Sequence, residues 1–376
     1  MDKVLIFGAA GRVGLQITAE LLRRGLQVAM VDLLPQQRLE QIGRRLLIDS
    51  RLASPSETAA LSIHGGIDAL DQHRVVQVLA AEKPDLVINY AIPITWDATK
   101  QLPNYERISA AGLGAFTPIQ VFTPWIIGRA IAELELDCHY MVGNLPDITI
   151  PILCGLTQTR RPVCGAGNVG LIAAAVRQQA SIELETQTAD IQVALVAHHI
   201  HWVAPREPGY PQDAPFLLRV SVGDEDVTAT LGDSRAIINN AIVDCYEPGA
   251  AFSSTTGILA SRAAIALLDG SGRSSRLHVP APNGLAGGYP VNITAGVITP
   301  QLPSCWTAKE AAQAMEQAQQ RDGVDAIETN GTARFSQRAR DILKQELGFE
   351  LPAVMNEGDI EAVAREQIAV VSSHFS

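Results

Sequence analysis

Residues 3–33 read KVLIFGAAGRVGLQITAELLRRGLQVAMVDL, and the organisation of this stretch decides the fold. An apolar run, KVLIFG, passes through a glycine-rich turn into a helix-patterned run, then into a second apolar run that ends in Asp32. The turn, GAAGRVG, places Gly8, Gly11 and Gly14 between strand and helix. Glycines there permit a tight turn, let the backbone approach a pyrophosphate and allow the helix to lie close on the strand. Amides at the helix start, around Arg12 and Val13, then face the phosphates. Asp32 follows about 20 residues on, where a carboxylate accepts hydrogen bonds from an adenosine ribose diol and repels the 2′-phosphate of NADP. The cofactor expected from these residues is NAD. The plainer alternative is a nucleotide-free turn with a surface aspartate.

Working outward, strand-like and helix-like runs keep alternating: the helix DQHRVVQVLAAEK, the strand DLVINYAI, the helix TPWIIGRAIAELEL and the strand CHYMVGN. Strand–helix–strand succession with apolar, β-branched strands implies parallel pairing and an open sheet covered by helices on both faces. The second half reads differently. DIQVALVAHHIHWVA and FLLRVSVGDEDVTATL look like longer amphipathic strands, and helices are expected over 252–269, 307–321 and 334–347. The expected class is α/β: an N-terminal Rossmann domain with a doubly wound parallel sheet (1–155) and a C-terminal α+β catalytic domain (156–376).

Composition narrows the function. The 376 residues are 47% hydrophobic and 18% charged, which is globular rather than disordered. A net charge of −11 without a basic stripe argues against nucleic acid or an anionic membrane as partner. No apolar run approaches the roughly 20 residues of a membrane span. The chain opens directly on a strand with no signal-peptide pattern, and its five dispersed cysteines form no CxxC pair, so a reduced, cytoplasmic protein is expected.

IDALDQHRVVQVLAAEKPDLVIN (67–89) resembles the third and fourth strands of extended short-chain dehydrogenases, which implies Asp68 beside the adenine. Asn89 and Ala91, at the carboxyl end of the fourth strand, complete the expected cofactor contacts. That family moves protons with a Tyr-x-x-x-Lys pair, and none of the six tyrosines here has a lysine four residues later. Further along, VGNLPDITIPIL (142–153), RRPVCGAGNVGLIAAAV (160–176), VALVAHHIHWVAP (193–205) and DGVDAIETNGTARF (322–335) together resemble the lactate/malate dehydrogenases and their relatives, the NAD-dependent family 4 glycoside hydrolases. The resemblance implies Asn144 near the nicotinamide and substrate, and His199 at the catalytic position. It also implies a homodimer, for which the small residues of 252–269 would suit a helix–helix contact. Two departures stand out. The dehydrogenases carry a His-orienting Asp and a substrate-clamping Arg on the helix that reads NVGLIAAAV here. The glycosidases place a metal-binding Cys where this chain has Gly167 or a neighbour, with Cys164 a few residues early.

The three histidines of AHHIHW are weighed accordingly. On a continuing strand His199 and His201 share one face and His198 the other. An imidazole suits either direction of proton transfer near neutral pH, so His199 is the expected acid/base, with His201 behind it. A strand-end histidine satisfied by backbone is the first alternative and a mononuclear metal on Cys164 and His199 the weaker one, and no metal site is assigned. PITWDATKQLPNYERISAAGLGAFTP (93–118) follows a strand at whose carboxyl end a ligand should lie, and reads as a lid. Within it Tyr105 resembles the mobile tyrosine base of the glycosidases. Arg206 is the first choice to bind a substrate carboxylate through its guanidinium fork. The leading expectation is an NAD-dependent oxidoreductase interconverting a small secondary alcohol and its ketone. The alternatives are NAD-assisted elimination or hydrolysis, and a non-catalytic NAD(H)-binding protein.

Overall fold

Along the first strand (β1, Lys3–Phe7) side chains alternate between two cores. Val4 and Ile6 join one buried apolar cluster, Leu5 and Phe7 the other. A strand buried on both faces belongs inside a parallel sheet sandwiched by helices. In the computed structural model, which describes residues 2–53, 59–246 and 251–375, β1 pairs in parallel with β2 (Gln27–Asp32) and β4 (Leu86–Asn89). With β3 (Ala60–Gly65), β5 (His139–Val142) and β6 (Cys164–Gly165) the sheet runs β3-β2-β1-β4-β5-β6, all parallel. The order reverses between β1 and β4, and the crevice outside those carboxyl ends is where doubly wound sheets take ligands.

Helices α1 (Arg12–Arg23), α2 (Gln36–Ala53) and α3 (Gln72–Glu82) link the first four strands. After β4 come two short helices, α4 (Trp96–Thr99) and α5 (Tyr105–Ser109), then a 3₁₀ turn (Leu113–Phe116) and the long α6 (Thr117–Glu133). Helix α7 (Pro146–Gly155) follows β5, and α8 (Asn168–Glu183) follows β6.

Beyond α8 the pairing turns antiparallel. One small sheet holds β7 (Ile191–Val196), β8 (Leu217–Val222) and β9 (Glu225–Asp226). A second holds β10 (Ser274–Pro280), β11 (Gly288–Thr294) and β12 (Val297–Pro300), and a third β13 (Val324–Ile327), β14 (Ala333–Phe335) and β15 (Val354–Met355). Around them lie α9 (Ile200–Val203), α10 (Thr228–Leu231), α11 (Ser234–Cys245), α12 (Ala251–Leu268), α13 (Ala308–Arg321), α14 (Gln337–Leu347) and α15 (Ile360–Ser373). The helix expected from residue 334 begins at Gln337, because Ala333–Phe335 pairs as a strand and the Ser336 hydroxyl caps the helix at the Ala339 amide.

The two halves interlock. β6 lies past residue 155, and α15 returns to pack on α6, where the Gln367 side chain donates to the Ala115 carbonyl and accepts from the Ile119 amide. The expected division at 155 therefore cuts through one sheet and one shared core. The small residues of α12 are used inside the chain: a Cβ on Gly257 would lie 2.4 Å from Gln16 of α1, and Ala260, Ser261 and Ala264 are buried. Among the described residues no helix is long and apolar enough to cross a membrane.

Candidate functional site

The glycine turn takes the form its residues demand. Gly8 sits at φ +75°, and a Cβ there would meet the Tyr90 and Ala91 backbone at 2.6–2.9 Å. Gly14 lets α1 lie against the turn, since its Cβ would stand 2.2 Å from the Gly8 carbonyl. Gly11 is the N-cap of α1 and no side chain caps that helix end, so its first amides point outward at the carboxyl edge of the sheet. Asp32 ends β2 and accepts from the amides of Ala10 (2.8 Å) and Leu34 (3.1 Å), which holds the turn against the strand. Val13 is half-buried and Arg12 is exposed. Asp68 is exposed past β3 and accepts from Leu70.

Across the reversal point lies a buried amide cluster. Asn89, at the end of β4, donates to the Asn144 side chain (2.9 Å), and Asn144 donates to the Ala91 carbonyl (2.8 Å). The Thr123 hydroxyl donates to the same carbonyl (2.7 Å). Leu145 stands at φ +40°, a left-handed backbone costly for a leucine, where the chain turns from Asn144 into α7.

In the first turn of α7, Asp147 meets His199. The His199 ring is fully buried, with Nδ1 3.4 Å from Asp147 and Nε2 2.8 Å from Asp322. Asp322 caps the end of α13, where Gly323 at φ +93° breaks the helix. Its two carboxylate oxygens also accept the amides of Leu113 and Gly114, each at 2.9 Å. Gly112 and Gly114 make that approach possible, since a Cβ on either would strike the Asp322 backbone at 2.2 or 2.5 Å. Burial alone would lower the His199 pKa, but the charges and contacts of Asp322 and Asp147 outweigh it and push it up to about 9. Two carboxylates thus reach His199 from segments other than NVGLIAAAV.

The strand expectation for the histidines is corrected. β7 stops at Val196, Ala197 bridges to Gly288, and the chain turns into α9 with His199 at its N-cap. His198, not His201, therefore stands beside His199, with ring centroids 4.2 Å apart. His201 is satisfied by backbone: Nδ1 accepts from the His198 amide and Nε2–H donates to the Ala214 carbonyl, each at 3.0 Å. Burial pushes His198 down to about 3, helped by the charge of His199, and His201 down to about 4.

The lid segment is docked. Trp96 packs edge-on against Tyr105, whose hydroxyl lies 3.5 Å from that of Tyr210. Lys100 pairs with Glu207, just after α9, and Asp97 pairs with Arg12 of the glycine turn. Burial raises the Tyr105 pKa, so the phenol keeps its proton. Arg206 stacks over Trp202 and Phe252, 4.6 and 5.2 Å from the ring centres. Cys164 is buried in the sheet, where burial pushes its thiol up to about 12. The fold therefore groups Asn89, Ala91 and Asn144, and separately His199 with Asp147, Asp322 and His198. Tyr105 lies in the segment after β4, against Trp96 and Tyr210, and Arg206 lies past α9, over Trp202 and Phe252. Asp147 and Asp322 both lie within stretches picked out for resemblance, yet only the folded chain joins them to His199.

A family model described as the NAD dependent epimerase/dehydratase family matches residues 4–110. No curated protein matches the chain. Among solved structures, the malate dehydrogenase of Cryptosporidium parvum is 18% identical at a TM-score of 0.56, covering 85% of this chain and 98% of that one. The malate dehydrogenase of Plasmodium falciparum is 12% identical at a TM-score of 0.57, covering 92% and 100%. The lactate dehydrogenase of Cryptosporidium parvum, complexed with lactic acid and NAD, is 15% identical at 0.55, covering 85% and 96%. At such identities the likeness is one of architecture: this chain has the fold of the lactate and malate dehydrogenases, nearly end to end.

Proposed function

We propose that this chain binds NAD along Gly8, Gly11, Arg12, Val13, Gly14, Asp32 and Asp68, with the nicotinamide beside Asn89, Ala91 and Asn144. In this reading it is an oxidoreductase that passes a hydride between that ring and a small secondary alcohol or its ketone. The observation that carries the reading is His199, buried between two carboxylates, one of which, Asp147, follows Asn144 by three residues. A histidine so held is protonated at neutral pH, so it is set for the reducing direction: hydride adds to the carbonyl carbon while His199 gives the oxygen its proton. In this reading Tyr105 and Arg206 are the substrate-side groups. The matched family and the NAD held by the Cryptosporidium lactate dehydrogenase support the cofactor.

The test is NADH fluorescence titration followed by NADH oxidation with a panel of 2-oxo acids and other ketones. NADH should bind at least about tenfold tighter than NADPH, because a carboxylate at the end of β2 would repel the added phosphate. His199→Asn should retain NADH binding and lose roughly 10²–10⁴ in kcat. Absence of NADH binding, or wild-type turnover by His199→Asn, would refute the proposal.

A further inference from the structure

Buried polar atoms are nearly always hydrogen-bonded, and a group of orphans at one point calls for an occupant. Five such atoms gather around His199. Both ring nitrogens of His198, both of His199 and Oδ2 of Asp147 have no hydrogen bond of acceptable direction, although every one of these side chains is buried. The His199–Asp322 contact is short but is not aligned as a hydrogen bond. One donor atom each from His198, His199 and Asp322 lies within 4.8 Å of the other two.

We infer that His198, His199 and Asp322 bind one divalent transition-metal ion. Two imidazoles and a carboxylate are a donor set for zinc, manganese or iron(II). Bond lengths of about 2.0–2.2 Å place donors roughly 3–4 Å apart, within a small side-chain rotation of the present geometry. Asp147 then has a distinct task. It faces Nδ1 of His199, so it takes that N–H and turns Nε2 toward the ion, as a carboxylate does behind a metal-bound histidine. The Leu113 and Gly114 amides fix the Asp322 carboxylate in the same way. The His198 ring nitrogens have no hydrogen bond among the described residues, and ligation accounts for a buried imidazole that the rest of the fold leaves unsatisfied. Cys164 is not part of this set.

The inference goes beyond the proposed hydride transfer and touches it at one point. With an ion on Nε2 and the Nδ1–H held by Asp147, His199 has no proton to give, so proton donation by this ring belongs to the metal-free protein. Metal content and NADH binding are separate measurements, so either idea can fail alone.

Full-length protein is stripped with a chelator and titrated with Zn²⁺ by calorimetry and with Co²⁺ by visible absorption, with NADH binding followed in the stripped form. One ion per chain, a Co²⁺ spectrum with nitrogen ligands and a raised Tm on loading are expected. His198→Ala removes a ligand without stranding a hydrogen-bond partner, and should weaken binding at least about tenfold. Asp322→Asn should do the same, and His198→Ala keeps the question answerable should Asp322→Asn unfold. Absence of ion binding by the wild type, or unchanged binding by a folded His198→Ala, would overturn the inference. If NADH still binds, the proposed function stands without it.

Discussion

Gly8→Ala asks whether the glycine turn and the end of β4 are one unit. The substitution has two costs. A left-handed φ of +75° costs an alanine about 1–2 kcal/mol that glycine does not incur. The new Cβ would also stand 2.6 Å from the Ala91 nitrogen and 2.7 Å from the Tyr90 carbonyl carbon, both backbone atoms of the strand end that carries Asn89. Overpacking of this kind costs typically 1–3 kcal/mol, because the strand rather than a side-chain tip must move. The sum is about 2–5 kcal/mol, a large part of the roughly 5–15 kcal/mol that holds a domain folded. Gly11→Ala is the control: its φ is −66° and its nearest atom is the Gly8 carbonyl at 3.2 Å. Urea unfolding should show a large loss for Gly8→Ala and less than about 1 kcal/mol for Gly11→Ala, whose defect should appear instead in NADH affinity. Equal stability of Gly8→Ala and wild type would refute the account of how the turn is seated.

Two further outcomes follow from side chains away from the site. Cys245 and Cys305 are exposed, with partial burial and the charge of Asp244 raising the Cys245 thiol, whereas burial pushes the thiols of Cys138 and Cys154 up to about 11 and that of Cys164 up to about 12. A thiol reagent at pH 8 should therefore modify two cysteines quickly in the native protein and all five in urea, and fast labelling of Cys164 would contradict its place in the sheet. For pH, burial would raise Glu82, but hydrogen bonds from His64, Lys3 and Ser62 and the charge of Lys3 leave its pKa below the ordinary glutamate value. A depressed folded-state pKa gives stability that is present above the unfolded pKa and is lost as pH falls through the folded one. The urea midpoint of Glu82→Gln should accordingly fall less steeply than that of wild type on acidification below about pH 4.5, and parallel curves would remove that contribution.

Local pattern was enough for the parallel sheet. Its strands alternate two buried faces, and the turn between β1 and α1 carries glycines where a side chain would strike backbone. The same pattern misled over AHHIHW, because alternation and a helical turn are equally compatible with that apolar run. What ended β7 was a bridge to Gly288, a partner far along the chain. NVGLIAAAV carries no acid, and the carboxylates beside His199 come from other parts of the chain. Asp322 reaches His199 through the break after α13 and through Gly112 and Gly114, none of which marks a destination in sequence. A carboxylate's partner two hundred residues away is set by how layers stack, and periodicity within one segment carries no trace of it.

The lateness of Asp322 has a consequence for biosynthesis. During translation the dinucleotide turn, β4 and the three histidines all leave the ribosome before α13 exists, and domains fold largely as they emerge. A nascent or truncated chain can thus hold a formed glycine turn while His199 still lacks its second carboxylate. The buried pairing of His199 with Asp322 therefore waits until α13 has been made, and a copy that stops short of it leaves the imidazole with Asp147 alone.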